Sequence, residues 1–463
     1  MLSPSGRARH FMTESWPRPP ARAEWDRHPG RPRIGAVALC GALALWSSSR
    51  SAAAADCAVS SYYPTAREVD PAIAEGDALV AKGRWADARA VYMWVLARSE
   101  ESPDALYGLG RVDAWGGCRA LAEKEFRQVL KGHPTNADVR AAYVDLLMWA
   151  HRIPEAESVL ADGLALGPKE PGLLARAARF EFWRGNAAEA ARLADEAEAV
   201  APTDEELQDM RARMFLGEAR LATHIDHYPP GYQDLFTVSA TGLQHVGRFE
   251  ISGGAEVLER FGGDVNAITD AQYPLSVAYH PAMGFTVGAE GTFGAPAHAI
   301  PRLALKTWAL APITGPVDAT LGYWFWHYDS GEIVHIFAPE VGIDLPAEVR
   351  LDLRGYVSVV TLPAAGGQPG QTQVAGAAGA QVTWSVTPRL DVGGIYTYGA
   401  EVDQGQTLYQ LQKVKAHVAT GFADILLDRR FGLRPVVAVW RQSPDVGDVT
   451  WIVSAELGAY TRW

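Results

Sequence analysis

The chain has 463 residues, 48% of them hydrophobic, a formal net charge of −12 and three cysteines, Cys40, Cys57 and Cys118. That length exceeds one ordinary domain. Residues 1–55 hold eight Arg against three acidic residues, which leaves the remainder near −17 (−12 minus +5). So acidic a body excludes nucleic acid as a partner, because phosphate binding needs Lys and Arg to displace counterions.

Arg31 and Arg33 precede an apolar run from Ile34 to Trp46 that is too short to cross a bilayer, and Ala53, Ala54 and Ala55 supply small residues before Asp56. Residues 1–55 therefore read as an export signal, followed by a mature N-terminal segment, 56–68. Leu39 and Asp56 are unsuited to lipid attachment at Cys40 or Cys57. In an oxidising compartment Cys57 and Cys118 are candidates for a disulfide.

From 69 to 204 the chain reads as Ala-rich helices that keep an interval of 34 residues: Pro134, Pro168 and Pro202; Ala88, Ala122, Ala156 and Ala190; Gly83, Gly117 and Gly185, with His151 in the gap. With Leu109-Gly110 and Phe126 in register, this resembles the tetratricopeptide repeat (TPR). The resemblance implies four helix pairs, 69–102, 103–136, 137–170 and 171–204. Ala marks where paired helices approach, Tyr92 and Phe126 plug the neighbouring repeat, and Pro stops the second helix. Trp115, Trp149 and Trp183 share the interval and, at about 100° per residue, lie opposite Leu106 and Leu174. In the repeat family this position lines the concave groove, so the resemblance implies a ladder of rings that stacks on a glycan or grips a peptide. The alternative is packing of the rings against the preceding helix.

A helical linker, 205–218, ends in a change of composition. From 219 to 463 Gly, Val, Tyr and Trp fill segments that alternate in polarity. On 349–359, Val349, Leu351, Leu353, Val357 and Val359 oppose Arg350, Asp352, Arg354, Tyr356 and Ser358, a set too charged for a soluble core and suited to a water-filled lumen behind a lipid-facing wall. Fourteen strands fit, with twelve as the alternative, and every second connection is tight, at 246–247, 281–282, 312–316, 343–347, 388 and 428–432. The connections at 361–374 and 401–412 are the longest. This alternation predicts an antiparallel transmembrane β-barrel behind an α-solenoid. The last strand, Trp451 to Trp463, predicts one lipid face and one polar face, and Trp463 resembles the terminal aromatic by which such barrels are handed to their insertion machinery.

Chemistry is sparse. His224, Asp226 and His227 resemble a ligand group, but on a strand His227 faces away from the other two, and a polar rim cluster is the preferred reading. No phosphate loop, paired-Cys motif or His-Glu-x-x-His occurs. We therefore expect no catalytic residue, metal or cofactor. The candidate lumen residues are Arg302, Lys306, Trp308, Trp324, Trp326, Tyr328, Arg350, Asp352 and Arg354, which place aromatic platforms beside charged donors. For Trp324, Trp326 and Tyr328 an outward interfacial girdle is the preferred alternative, since such girdles are near universal in barrels.

Arg260-Phe261, Tyr273-Pro274, the run Phe293 to Arg302 and the run Leu321 to Asp329 occur in an order that resembles the YaiO-type outer-membrane β-barrel family over 219–463. The resemblance implies fold and location in the outer membrane of a Gram-negative bacterium, with the repeats in the periplasm, and no settled activity. Repeats ahead of a barrel also resemble exopolysaccharide secretins, in which repeats recruit periplasmic machinery and the barrel supplies the exit. The expectation is a non-enzymatic barrel in polysaccharide export or surface assembly, with outer-membrane lipid, the insertion machinery and a periplasmic protein or glycan in the groove as partners. A docking module whose barrel is only an anchor is the alternative, and a barrel-borne lipid hydrolase a minor one.

Overall fold

The computed structural model describes residues 60–463 apart from 151, 205–206, 209, 212–213, 231, 263–266, 299, 315, 346–347, 365–368, 388, 405–410 and 445–448. The expected export signal, Cys40, Cys57 and His151 lie outside the described residues. Cys118 is disulfide-bonded.

The helical half comprises α1 (Val69–Ala81), α2 (Trp85–Leu96), α3 (Pro103–Trp115), α4 (Arg119–Gly132), α5 (Ala137–Trp149), α6 (Ile153–Leu166), α7 (Pro171–Trp183) and α8 (Ala187–Val200). The residues of the 34-residue interval explain its geometry. Gly83, Gly117 and Gly185 have φ of 70°, 83° and 77°, the left-handed conformation that ends the first helix of a pair without a Cβ clash. Ala88, Ala122, Ala156 and Ala190 are fully buried, where only a small side chain lets the helices approach. Tyr92 fills the space between Gly76 and Gly108, at either of which a Cβ would lie within 2.6 Å of its ring. Ser102 and Asn136 cap the starts of α3 and α5 by accepting from the amides of Ala105 (3.4 Å) and Val139 (3.1 Å).

Ion pairs and hydrogen bonds hold several polar groups inside the repeats. Arg89 Nε donates to buried Asp113 at 2.6 Å. Beside them, burial first and then the Asp113 carboxylate push the Glu125 carboxyl up to about 8, against the pull of Arg89. At the start of the described chain, Glu75 accepts from the Tyr62 hydroxyl (2.5 Å), the Thr65 amide (2.9 Å) and the Ala66 amide (3.0 Å). Against the upward push of its burial, these bonds hold the Glu75 carboxyl at about 2.

The second half is a closed antiparallel barrel of fourteen strands: β1 (Gly217–His227), β2 (Asp234–Val246), β3 (Phe249–Phe261), β4 (Ile268–Tyr279), β5 (Thr286–Gly294), β6 (Leu303–Thr314), β7 (Val317–His327), β8 (Ile333–Leu345), β9 (Val349–Leu362), β10 (Gln371–Thr387), β11 (Leu390–Gln404), β12 (Leu411–Leu426), β13 (Phe431–Pro444) and β14 (Thr450–Arg462). Each strand pairs with its sequence neighbours, and β14 closes on β1 from Glu218↔Arg462 to His227↔Val453. Closure leaves no edge. Connections alternate between a tight end (247–248, 280–285, 315–316, 346–348, 388–389, 427–430) and a loop end (228–233, 262–267, 295–302, 328–332, 363–370, 405–410, 445–449), although the turn expected at 281–282 spans 280–285 and is longer than 328–332. The two connections expected to be longest are shorter than their sequence suggests, because β9 to β12 extend into them.

Period-2 alternation runs along the strands, interrupted by register shifts at Pro312/Thr314 and Ser385/Thr387. On β14, Trp451, Val453, Ala455, Leu457 and Ala459 are exposed on the outer surface, while Ile452, Ser454 and Tyr460 are buried and Glu456 half-buried on the inner one. The outer wall is aliphatic between two aromatic belts. Phe236, Phe293, Phe337, Tyr396, Tyr398 and Trp451 lie toward the loop end, and Phe249, Phe285, Phe431 and Trp463 toward the tight end. Trp451 and Trp463 are twelve residues apart, roughly 30 Å along the axis for a strand tilted about 40°, which matches the hydrocarbon thickness of a bilayer. No described helix is long and apolar enough to cross a membrane.

Candidate functional site in the barrel lumen

Alternation sends nearly all strand charges inward, and the low-dielectric wall behind them makes pairing mandatory. On one side Arg350 bridges Asp318, Asp344 and Asp352 at 2.8 Å each, and Arg354 pairs with Glu340 at 2.8 Å. Across the β1–β14 seam Arg462 meets Glu218 (2.9 Å) and Arg220 pairs with Glu456, while on β13 and β12 Arg434 meets Asp424 (2.5 Å). Tyr460 donates to Asp424 at 2.6 Å, and the Arg434 and Arg462 guanidiniums lie 4.9 and 4.5 Å from the centre of its ring. Lys306 sits 3.4 Å from Glu290 and 5.7 Å from the centre of the Trp324 ring.

Between these walls lies a cavity of about 900 Å³. At the tight end it is lined by charged groups from around the barrel, among them Glu250, Arg350, Asp424, Arg434 and Arg462. Toward the loop end it continues past Thr237, Glu256, Arg260 and Asp270, with His224, Trp440 and Ser454 also on its wall. The rest of the loop-end half is filled by an apolar cluster in which Trp324, Trp326, Tyr328, Ile336, Tyr356, Val360, Trp440 and Ile452 pack with Tyr228 from the 228–233 connection. Above the polar side, the 295–302 connection folds inward. His298 bonds Asp270 through its amide and Nδ1, both at 2.8 Å, and Ile300 lines the cavity.

The expected lumen residues divide accordingly. Lys306, Trp308, Trp324, Trp326, Tyr328, Arg350, Asp352 and Arg354 lie on the inner face; the preferred girdle reading of Trp324, Trp326 and Tyr328 is corrected, since these rings are only 2–3% exposed. Nor are the two tryptophans free platforms: their centroids are 6.3 Å apart with planes 20° from parallel, inside the apolar cluster. Arg302 stands at the loop-end rim, exposed and 3.1 Å from Asp329. The outward partners of the rings, Tyr323, Phe325 and Phe337, build the girdle instead. Sequence could have separated the two sets from the parity of Asp318, which shares the inner face and is claimed by Arg350.

In the helical half, the expected ladder of exposed rings is corrected. Trp115 and Trp183 are buried at 9% exposure. Trp115 lies 6.3 Å from Trp85, and Trp149 packs on the same cluster. Arg111 is half-buried over these rings, with its guanidinium 5.3 Å from the Tyr107 ring centre and 4.8 Å from that of Trp115.

His224 and Asp226 face inward and His227 outward, where it meets Asp234 at 3.1 Å. Asp226 Oδ1 is shared between His224 Nε2 (2.8 Å) and the Ser454 hydroxyl. A carboxylate therefore stands between serine and imidazole, the reverse of the order in which a base activates a nucleophile. Among the described residues, no group of three or more His, Cys, Asp or Glu is arranged to hold a metal.

Residues 119–172 match the tetratricopeptide repeat model. No curated protein matches the chain in sequence. Among solved structures, the helical half is similar to a thermophilic TPR protein of Thermus thermophilus, at 20% identity over 32% of this chain and 81% of that one, with a TM-score of 0.30. A bacterial polysaccharide outer membrane secretin aligns at 12% identity over 54% of this chain and 98% of that one (TM-score 0.36). An anion-selective porin from Comamonas acidovorans aligns at 9% identity over 53% and 98% (TM-score 0.31). Repeat model and architecture agree: TPR-like helices precede a closed fourteen-strand antiparallel barrel of outer-membrane type.

Proposed function

We propose that the chain is a non-enzymatic outer-membrane barrel of the YaiO type whose repeats stand in the periplasm as a docking scaffold, and that it serves the export or surface assembly of a polysaccharide. One observation carries this reading: the lumen is only half filled. An anchor gains from packing its interior completely, yet here a polar cavity continues past Thr237, Glu256, Arg260 and Asp270 to a connection held over it by His298. Hydroxyls and paired charges on a passage wall exchange hydrogen bonds with a hydrated glycan without binding it too tightly to leave. The 295–302 connection makes this a closed state that opens when the Asp270 contact is released.

Full-length protein in a planar bilayer tests the reading. Conductance is small in the wild type and rises several-fold in Asp270→Ala, and added acidic or neutral glycan blocks the enlarged current. A barrel that stays silent in both forms refutes the export role. The apolar filling beside β6 to β10 favours a second reading, in which the barrel is only an anchor and a periplasmic protein docks on the repeats near Arg111. That reading expects a silent barrel and a partner lost on Arg111→Ala. A lipid hydrolase is the weakest alternative, given that Ser454 donates to a carboxylate.

A further inference from the structure

Lysine and arginine are sorted almost perfectly by the wall of this barrel. Among the described strand side chains, Arg220, Arg260, Lys306, Arg350, Arg354, Arg434 and Arg462 all face the lumen. Two do not. Arg441 lies between the buried, inward Trp440 and Gln442, and exposed Lys415 between the buried, inward Val414 and Ala416, so both point outward. They are neighbours. Strand register aligns Tyr398, His417, Arg441 and Trp451 directly across β11 to β14, and Lys415 is two residues from His417 toward the loop end.

This row sits in the loop-end aromatic belt. Tyr398 stacks on His417 with centroids 4.5 Å apart, and the Tyr396 hydroxyl meets His417 Nδ1 at 2.8 Å. A matching pair, Tyr323 and His335 at 2.8 Å, stands across β7 and β8 with no outward Lys or Arg among the described side chains of those strands. Among the described strand side chains, the outward carboxylates are Asp234 on β2, engaged by His227 (3.1 Å) and the Tyr228 amide (2.9 Å), and Glu259 on β3. Two cations at the hydrocarbon boundary cost free energy unless an anion shares the site, and among the described side chains of β11 to β14 no outward carboxylate stands beside them.

We propose that this outward row binds the phosphate group of an outer-leaflet lipid, with Arg441 and Lys415 pairing to its oxygens, His417 contributing a ring nitrogen, and Tyr398 and Trp451 packing on the acyl-proximal part of the headgroup. The guanidinium fork suits phosphate oxygens bidentately, and flanking rings exclude water from the pair. The proposal rests on the reading that the loop end faces the cell exterior; it is independent of what passes through the lumen.

The test uses full-length protein in mild detergent, exposed to equimolar bis-phosphorylated and dephosphorylated lipid A and examined by native mass spectrometry. Wild type retains the phosphorylated lipid at least tenfold over the dephosphorylated one, a comparison that needs no variant. The Lys415→Gln, Arg441→Gln double variant loses that preference, Arg441→Lys keeps part of it, and His335→Gln leaves it unchanged; heat-modifiable gel mobility verifies that each barrel is folded. Equal retention of both lipids by wild type, an undiminished preference in the folded double variant, or full displacement by inorganic phosphate at equimolar concentration overturns the site. Maleimide labelling of Ser330→Cys in intact cells reports the orientation separately, since an unlabelled cysteine refutes the outward loop end whatever the lipid result.

Discussion

The two halves of this molecule solve opposite solvent problems with the same chemistry. In the repeats, Tyr92, Phe126 and Phe180 are buried inside and salt bridges decorate the outside, with Arg89–Asp113 a buried exception. In the barrel, aliphatic side chains face out, and nearly all the described strand charges face in, many of them in ion pairs. The contrast shows where polarity is expensive. A helix supplies its own backbone hydrogen bonds and needs only one apolar stripe, whereas a strand in lipid must borrow both its hydrogen bonds and its polar refuge from the far side of a closed wall.

That contrast is open to attack at its strongest points. Asp113→Asn leaves the Arg89 guanidinium buried without its counter-charge and should cost the repeats about 3–5 kcal/mol; proteolysis of full-length protein should then cut the helical half while the barrel keeps its heat-modifiable gel mobility. If both halves fail together, the division into separately stabilised units is wrong. In the barrel, Leu457→Arg on the outer wall should cost about 2–4 kcal/mol in lipid-based unfolding. Leu303→Arg, outward at the loop end and away from Lys415 and Arg441, should cost under about 1 kcal/mol, in keeping with the depth dependence.

Smaller effects come from titration in the repeats. The folded pKa of Glu125, about 8, lies above its ordinary 4.5, so the folded state holds a proton that the unfolded state has released between those values. Stability of the repeats should therefore fall as pH rises from 4.5 to 8, and Glu125→Gln should flatten that slope in urea titrations at pH 5 and 8. Glu75 works in the other sense. Its folded value of about 2 means that its contribution is full above pH 4.5 and disappears as pH falls through 2; Glu75→Gln should loosen residues 60–67 at neutral pH, read as faster amide exchange there.

Architecture was legible in the sequence because both halves are periodic. The 34-residue interval carried glycines whose left-handed φ and alanines whose full burial are direct products of helix-pair geometry. Strand parity assigned Val349 to Val359 and Trp451 to Trp463 to their faces, and turn alternation yielded the strand number. The site was less legible. Parity with Asp318 offered the inner face for Trp324 and Trp326, but the commonness of outward girdles outweighed it, and parity could not tell that the rings pack into a cluster with Tyr228, Tyr356 and Trp440, because those partners come from distant strands. The groove tryptophans failed for the same reason: spacing places Trp115 on a helix face, while Trp85, thirty residues earlier, decides whether that face is covered. Which charges pair across the lumen is likewise a matter of register, as with Arg350 and Asp318, 32 residues apart.

The β1–β14 seam has a consequence for how the molecule comes into being. Leu216 and Gly217 donate to the carbonyl of Trp463 at 2.6 and 3.2 Å, and Arg462 reaches back 244 residues to Glu218. Each helix pair can form from about 34 residues as they emerge, but the opening strand of the barrel has no second neighbour until the closing one arrives. During that wait it is an unpaired edge carrying a lipid-facing surface through water. The rate of closure therefore sets how long the chain stays vulnerable to aggregation.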